Sequence, residues 1–144
     1  LMEEHYRKLE NMYASAPVNE FYLPEIVISD SKATITIETE KKHFHAAMAV
    51  HGSVYFKMLD DAAFFAAQSV VKDVFVLTTQ FNVQLIRPIF AEKITSKGTI
   101  ISRTRSSIIA ESELVNESGK ILAIGRGSFA LSNIELTPEI GYQL

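Results

Sequence analysis

The sequence predicts an α+β fold in which one antiparallel sheet covers a single long helix. The main observation is the segment from Ser53 to Val71, which contains no Gly or Pro and is apolar around almost its whole circumference. A helix of this kind is expected to be buried on most sides. Four β-branched and aromatic runs follow it with short turns between them, and they predict an antiparallel meander. With 144 residues, of which 47% are apolar, residues 1–144 are expected to form one compact domain.

Two kinds of periodicity precede the long helix. Apolar residues recur at steps of four and three from Met2 to Ala16, which predicts an N-terminal helix over residues 1–16 that Pro17 closes. Between residues 23 and 39 the apolar residues alternate with polar ones around a turn at residues 29–31. This period of two predicts two short strands.

The segments after the long helix supply the rest of the sheet. The predicted strands are Val74–Ile86, Lys93–Thr104, Ser107–Val115 and Ile121–Leu131. The turns between them contain Arg87–Pro88, Arg105–Ser106 and Glu117–Lys120. The polar residues after Ser132, together with Pro138, predict a tail outside the sheet over residues 133–144.

The composition excludes several classes of function. The absence of Cys rules out disulfide frameworks, thiolate catalysis and thiolate-bound zinc, and it is compatible with a reducing cytoplasm. A net charge of −3 leaves no excess of positive charge for general nucleic-acid binding. The start of the chain is charged, and no apolar run approaches the ~18–20 residues that a membrane span needs. We therefore expect a soluble, cytoplasmic protein with neither nucleic acid nor membrane as a partner.

Two carboxylates interrupt the apolar helix. At about 100° per residue, Lys57, Asp61 and Gln68 fall within about 40° of one another, which predicts a narrow polar stripe with an i,i+4 pair between Lys57 and Asp61. Asp60 lies outside this stripe and shares its face with aromatic side chains. An unpaired carboxylate there would be costly or have a raised pKa, so Asp60 is a candidate functional group. A salt bridge from Asp60 to Lys57 is the structural alternative.

A histidine-rich loop leads into the helix. Gly52 has no Cβ, and an N–H group in the first turn of a helix has no intrahelical partner, so Gly52 is a candidate oxyanion donor. The alternative is a simple turn that ends in a Ser53 N-cap. His43, His45 and His51 are closely spaced, but no further ligand clearly converges on them, and we expect no metal site.

These residues resemble the hotdog-fold acyl-CoA thioesterases of the phenylacetic-acid-degradation type. That family has an Asn, a Gly three residues later, His-Gly-Gly three residues after that, and an Asp nine residues after the His. Residues 51–53 correspond to His-Gly-Gly, and Asp60 stands at the expected distance. Thr78 falls where the family has a Ser or Thr facing the site, and residues 85–88 are similar to its strand end. The resemblance extends over residues 40–131.

Three positions depart from the family pattern. His45 replaces the Asn, and its ring can still offer an N–H group. Met48 replaces the first Gly; if the loop needs a positive φ there, a Met is strained, and we expect the loop to take another path. Ser53 replaces the second Gly of the pair. These departures bear on activity and substrate more than on the fold.

The resemblance implies a thioesterase that hydrolyses an acyl- or aryl-CoA to the free acid and CoA. Gly52 would bind the thioester oxygen, and Asp60 would act as general base or as nucleophile. In the family the site is shared, so His45, His51 and Gly52 of one chain would work with Asp60 and Thr78 of another. The expected assembly is a homodimer or a dimer of dimers. No cofactor is expected, because CoA enters as part of the substrate.

Binding of CoA requires cations near its phosphates. The candidates are Arg103, Arg105 and Ser106 at a strand turn and Arg126 on the last strand, with ordinary solvated charges as the alternative. An apolar acyl channel could be lined by Phe56, Phe64, Phe65 and Phe81, which core packing would also explain.

Two other functions compete with hydrolysis. The first is a hotdog protein that has lost catalysis and binds acyl-CoA as a sensor or assembly partner, which the replacements at residues 45 and 48 motivate. The second is a hydratase or dehydratase on the same fold, whose usual motif is not visible in the sequence.

Overall fold

A six-stranded antiparallel sheet wraps around one long helix in the computed structural model, which describes residues 2–144. The helices are α1 (Met2–Ser15), α2 (Asn19–Tyr22) and α3 (Gly52–Gln68). The strands are β1 (Glu25–Ser29), β2 (Lys32–Glu38), β3 (Val74–Leu85), β4 (Lys93–Arg103), β5 (Ser107–Asn116) and β6 (Ile121–Glu135). They lie in the order β1-β2-β4-β5-β6-β3, and every neighbouring pair is antiparallel. The predicted fold class is confirmed.

The central helix α3 is buried because the sheet approaches it closely. Leu59 and Ala62 have no exposed surface. A Cβ at Gly98 of β4 would lie 2.1 Å from the backbone oxygen of Ala62, so only glycine allows this approach. On β5, the Ser112 hydroxyl donates a hydrogen bond of 2.7 Å to the Leu59 carbonyl. No helix within residues 2–144 is long and apolar enough to cross a membrane.

The C-terminal end of α3 differs from the prediction at Gln68. This residue was expected on a polar stripe, but it is fully buried. Its amide nitrogen donates to the carbonyls of Val71 and Val74, and its amide oxygen accepts from the Val76 N–H at 2.8 Å. The Gln68 side chain therefore provides hydrogen-bond partners for backbone groups at the point where the chain leaves the helix and turns into β3. This explains why the helix ends at Gln68, before the predicted Val71.

The N-terminal helix covers one edge of the sheet. The predicted helix over residues 1–16 is present as α1, and Leu1 lies outside the described residues. Glu10 accepts a hydrogen bond of 2.8 Å from the Ile28 N–H, while Arg7 donates to the Ile28 carbonyl at 3.0 Å. Side chains of α1 thus satisfy the outward-facing backbone groups of edge strand β1 at this residue.

The last strand runs further than the sequence predicted. β6 continues to Glu135, because Glu135 pairs with Val74 at the beginning of β3. Residues 133–135, expected in the tail, are therefore part of the sheet. The remaining residues fold back on α1, where Tyr142 and His5 form a hydrogen bond of 2.6 Å between the tyrosine oxygen and the Nδ1 atom.

The opposite edge of the sheet is the long strand β3, whose outer side has no neighbouring strand among residues 2–144. β3 has 12 residues and pairs with β6 on one side only. Leu77 and Leu85 are exposed on this strand. A long, partly apolar edge is a site at which further strands can be added.

Candidate active site

Asp60 lies on α3 and faces β3, where it contacts Thr78. The Thr78 hydroxyl donates a hydrogen bond of 2.9 Å to Oδ1 of Asp60. Burial raises the pKa of Asp60 to about 6, and the charge of Asp61 adds to this effect, while the Thr78 hydrogen bond and the charge of Lys57 oppose it. A carboxylate with such a pKa can exchange a proton near neutral pH, as a general base must.

The neighbouring Asp61 is held in an ion pair. Lys57 contacts Asp61 with an Nζ–Oδ2 distance of 2.7 Å, and the Tyr13 hydroxyl donates to the same oxygen at 2.7 Å. The predicted pair between Lys57 and Asp61 is confirmed. Among residues 2–144 Asp60 has no such cation, so its structural alternative, a salt bridge to Lys57, is wrong.

The N-terminus of α3 presents a free backbone donor. His51 caps the helix, because its Nδ1 atom accepts a hydrogen bond of 3.0 Å from the Ser53 N–H; the expected Ser53 cap is therefore wrong. Gly52 is the first helical residue, and no acceptor within the described part of the chain takes its N–H. A Cβ at Gly52 would make an ordinary contact of 3.6 Å with Leu85 Cδ1. Packing within one chain therefore does not require glycine at this position.

The loop before α3 follows a tight turn around Met48. The Met48 N–H donates to the His45 carbonyl, and the His45 N–H donates to the Ala49 carbonyl, both at 2.9 Å. Met48 has φ 67°, the left-handed conformation that favours glycine. The expectation that a Met would force another path is therefore wrong, since the loop keeps the positive φ and the Met accepts the strain.

The three histidines of the loop have separate environments. The exposed His45 accepts a hydrogen bond of 3.1 Å at Nδ1 from the Ala47 N–H, which leaves its Nε2 atom as the ring donor. His43 is buried against Tyr22, and burial lowers its pKa, with the charge of Lys42 acting in the same direction. In residues 2–144 no group of three or more His, Cys, Asp or Glu side chains is placed to hold a metal ion.

One chain holds Gly52 and Asp60 far apart. They are separated by eight residues of α3, and a helix rises about 1.5 Å per residue, so they lie roughly 12 Å apart along the axis. Asp60 and Thr78 are together, whereas Gly52, His45 and His51 lie at the end of the helix. To act on one substrate, the Asp60 carboxylate and the Gly52 N–H must both lie within about 3 Å of the same substrate atoms.

The candidate CoA contacts are dispersed over the chain. Arg103 donates to the Val70 carbonyl at 3.4 Å, so it lies beyond the C-terminal end of α3, and Arg105 and Ser106 are exposed in the adjacent turn. Arg126 lies 3.5 Å from Glu111. It alternates with the buried residues of β6 and therefore occupies the outer face of the sheet, away from α3.

The sequence did not reveal the aromatic residues around Lys57. The Lys57 ammonium lies 5.0 Å from the centroid of the Tyr13 ring and 5.1 Å from that of Tyr22. These cation–π contacts join α1 and α2 to the helix that carries Asp60. The only sequence signal is Tyr13 on the apolar stripe of α1, which does not specify what it contacts.

Comparison with known proteins assigns the chain to a family. Residues 49–123, more than half of the chain, match the thioesterase superfamily, and the chain belongs to it. No curated protein sequence matches the chain.

Solved structures agree with the predicted hotdog fold. The PaaI protein of E. coli, from the phenylacetic acid degradation operon, is 19% identical with a TM-score of 0.86, over 95% of this chain and 99% of that chain. A mutant of the phenylacetic acid degradation protein PaaI from Thermus thermophilus is 18% identical with a TM-score of 0.74, over 81% and 100%. A thioesterase from Haemophilus influenzae is 17% identical with a TM-score of 0.78, over 86% and 88%. At these identities the structures establish the fold, and the resemblance to PaaI-type hotdog proteins is confirmed.

Proposed function

We propose that the protein is an acyl-CoA thioesterase that hydrolyses the thioester of an acyl- or aryl-CoA to the free acid and CoA. The observation that carries this proposal is Asp60, a half-buried carboxylate without a cation, with a pKa raised by burial to about 6 and held by Thr78. The free N–H of Gly52 at the positive end of α3 is a suitable donor for the oxyanion of a thioester under attack. The cysteine-free chain is compatible with action in the cytoplasm.

The proposed active site is formed by two chains. Because Gly52 and Asp60 lie roughly 12 Å apart along one helix, Gly52 of the partner subunit acts with Asp60. A two-fold axis that reverses α3 generates two equal sites per dimer. His45 and His51 belong to the Gly52 half of each site, and Thr78 belongs to the Asp60 half. A dimer of dimers would repeat the same unit.

Two chemical routes are compatible with this geometry. As a base, Asp60 takes a proton from water while the water oxygen attacks the carbonyl carbon. As a nucleophile, a carboxylate oxygen of Asp60 attacks that carbon and forms an anhydride that water then hydrolyses. In both routes the Gly52 N–H binds the oxyanion, its collapse breaks the C–S bond, and the departing CoA thiolate takes up a proton. Nε2–H of His45 is a second donor for the same oxygen or for the water.

The CoA moiety extends from this site toward basic residues. Antiparallel α3 helices bring the C-terminal end of one helix beside the loop before the other. Arg103, Arg105 and Ser106 lie beyond that end, so they are the proposed phosphate contacts. Arg126 faces away from α3 and is not included.

A thiol-release assay tests the function. Wild-type protein is expected to release thiol from at least one member of a panel of short, medium, long and aromatic acyl-CoAs. Asp60→Asn should lower the rate at least about 100-fold because it is nearly isosteric but removes the base or nucleophile. Asp61→Asn is the matched control and should stay within about fivefold, since Asp61 belongs to the ion pair. Equal losses in the two variants would contradict the role of Asp60.

A binding protein without catalysis is the second candidate. It is favoured by Met48, whose φ of 67° marks a position suited to glycine, and by His45 in place of the family's Asn. Such a protein would bind acyl-CoA in equilibrium dialysis and release no thiol from any member of the panel.

A further inference from the structure

We propose that Lys57 is a positioning residue that acts through Asp60. Its ammonium, fixed by Asp61 and by two tyrosine rings, keeps the Asp60 carboxylate ionised at neutral pH. This inference rests on the proposed function for its consequence in catalysis, but the titration of Asp60 can be measured without activity.

The first line of argument is the placement of three charged residues on α3. Lys57 precedes Asp60 by three residues and Asp61 by four, so it is a neighbour of both carboxylates on the helix surface. Among residues 2–144 its ion pair is with Asp61, at an Nζ–Oδ2 distance of 2.7 Å, and it forms none with Asp60. One cation therefore lies beside two adjacent carboxylates, one of which is paired with it.

The second line of argument is the electrostatic effect of this pair on Asp60. The side chains of Lys57 and Asp61 are only 14% and 17% exposed, so water screens their charges weakly. Burial is the main cause of the raised pKa of Asp60, the like charge of Asp61 adds to it, and the charge of Lys57 opposes it. Lys57 thus offsets the repulsion that the adjacent carboxylate exerts on Asp60.

The third line of argument is that contacts from α1 and α2 hold the ammonium in place. It lies 5.0 Å from the ring centroid of Tyr13 and 5.1 Å from that of Tyr22. The Tyr13 hydroxyl donates to the same oxygen of Asp61 that Lys57 contacts, and its ring packs on Phe65 with centroids 5.0 Å apart. Burial raises the pKa of Tyr13, and the charge of Asp61 acts in the same direction, so this hydroxyl remains a donor. A flexible lysine side chain is fixed by these contacts.

The other groups that face this cluster are neutral. From β3, the Thr78 hydroxyl donates to Asp60. The buried His43 stacks on Tyr22, and burial lowers its pKa, which favours the uncharged ring. Within residues 2–144, Lys57 is therefore the cation that acts on the carboxylate proposed to react.

Two variants with opposite expected effects test the proposal. Both chemical routes need ionised Asp60, so kcat/KM should fall as the pH decreases through its pKa of about 6. Lys57→Met removes the cation and should lower the ratio of kcat/KM at pH 5.5 to that at pH 8 at least about twofold relative to wild type. Asp61→Asn removes the repelling charge but keeps the cation, and it should raise this ratio at least about twofold. Both variants lose the same ion pair, so a purely structural role would move the ratio in the same direction in both and would overturn the proposal.

A conservative variant separates the charge of residue 57 from its packing. Lys57→Arg keeps the charge and can stack on the tyrosine rings, so its ratio should stay within about 1.5-fold of wild type. Lys57→Gln takes the place of Lys57→Met if the latter does not fold, with the same expected fall. A ratio in Lys57→Arg as low as in the uncharged variant would contradict a role of the charge. His45 and His51 of the partner subunit are present in every variant, so the comparison between variants cancels their titration.

Carbon-13 NMR of the Asp60 carboxyl group measures the same effect without a substrate. Asp60→Asn assigns the signal by its loss. Relative to wild type, the midpoint of the Asp60 titration should lie at least about 0.5 pH units higher in Lys57→Met and at least about 0.5 lower in Asp61→Asn. Unchanged midpoints in both variants would overturn the proposal. If wild-type protein releases no thiol but the midpoints move, the proposed function fails and the role of Lys57 stands; thiol release with unmoved midpoints gives the reverse.

Discussion

Adjacent carboxylates on one helix have different surroundings. Asp61 forms an ion pair with Lys57 and accepts a hydrogen bond from Tyr13, so it has both a cation and a hydroxyl as partners. Asp60 has one hydroxyl partner, Thr78, and burial dominates its titration. A one-residue step along the helix turns the side chain by about 100°, and this rotation separates the ion-paired Asp61 from Asp60, the carboxylate proposed to react.

Replacing Asp60 by Asn should stabilise the fold at neutral pH. Burial raises the pKa of Asp60 from its ordinary 3.8 to about 6, so its ionised form opposes folding. This cost is absent at acidic pH, where the carboxyl is protonated in both the folded and the unfolded state. It grows as the pH rises from 3.8 to about 6 and stays constant at higher pH. Asp60→Asn removes it. Urea unfolding at pH 8 should therefore give a free energy of unfolding about 2 kcal/mol above wild type.

The pH dependence of the stability gain and the variant Asp61→Asn serve as controls for this prediction. The stability gain of Asp60→Asn should fall to near zero at about pH 3, because the wild-type carboxyl is then largely protonated in both the folded and the unfolded state. Asp61→Asn should lower stability at pH 8, since it removes the ion pair with Lys57 and weakens the Tyr13 hydrogen bond. A loss of stability in Asp60→Asn at pH 8 would show that its contact with Thr78 outweighs the cost of burial.

Among the larger elements, the loop before α3 stores backbone strain. Met48 occupies the left-handed region, which costs a residue with a Cβ roughly 1–2 kcal/mol. The turn persists because the backbone bonds between His45, Met48 and Ala49 close it. Strain in this loop therefore sits beside the residues proposed to bind the oxyanion.

Met48→Gly should relieve this strain. Gly adopts φ of 67° without a steric penalty but loses more entropy on folding, so the expected net gain is roughly 0.5–1 kcal/mol in the free energy of unfolding. Met48→Ala keeps the Cβ and should show no comparable gain. Urea denaturation of the two variants measures the difference, and an equal gain in both would assign the effect to the exposed Met side chain instead.

The elements themselves were largely predictable because their periodicities differ. The apolar circumference of α3 and the runs of β3–β6 identify a buried helix and a covering sheet. Gln68 was misplaced, since a pattern cannot distinguish a solvated amide from one that satisfies backbone groups of Val71, Val74 and Val76. The spacing of His51 and Asp60 predicted the two ends of the proposed site. The contact between Tyr13 and Asp61 joins residues 48 positions apart, and local periodicity carries no information about it.

At the scale of the whole molecule, the fold separates Gly52 and Asp60, the two parts of the proposed site. α3 is stiff, so Gly52 and Asp60 cannot approach each other within one chain. α1 covers the β1 edge at Ile28, and β3 remains open for a partner. In the proposed function a complete site exists only when two chains associate. A mixture of two inactive variants can detect such sharing.

Mixing Gly52→Pro with Asp60→Asn should restore activity that neither variant has. Proline removes the N–H of residue 52 but suits the first helical position, and His51 already has the extended conformation (φ −65°, ψ 145°) that a following proline favours. In a heterodimer, one site combines the intact Gly52 of one chain with the intact Asp60 of the other. Random exchange of subunits between the two variants makes half of the dimers mixed, and one of the two sites in each mixed dimer is complete. Thiol release should therefore return to about one quarter of the wild-type rate. A site contained in one chain would give no recovery, although both variants fold and exchange subunits.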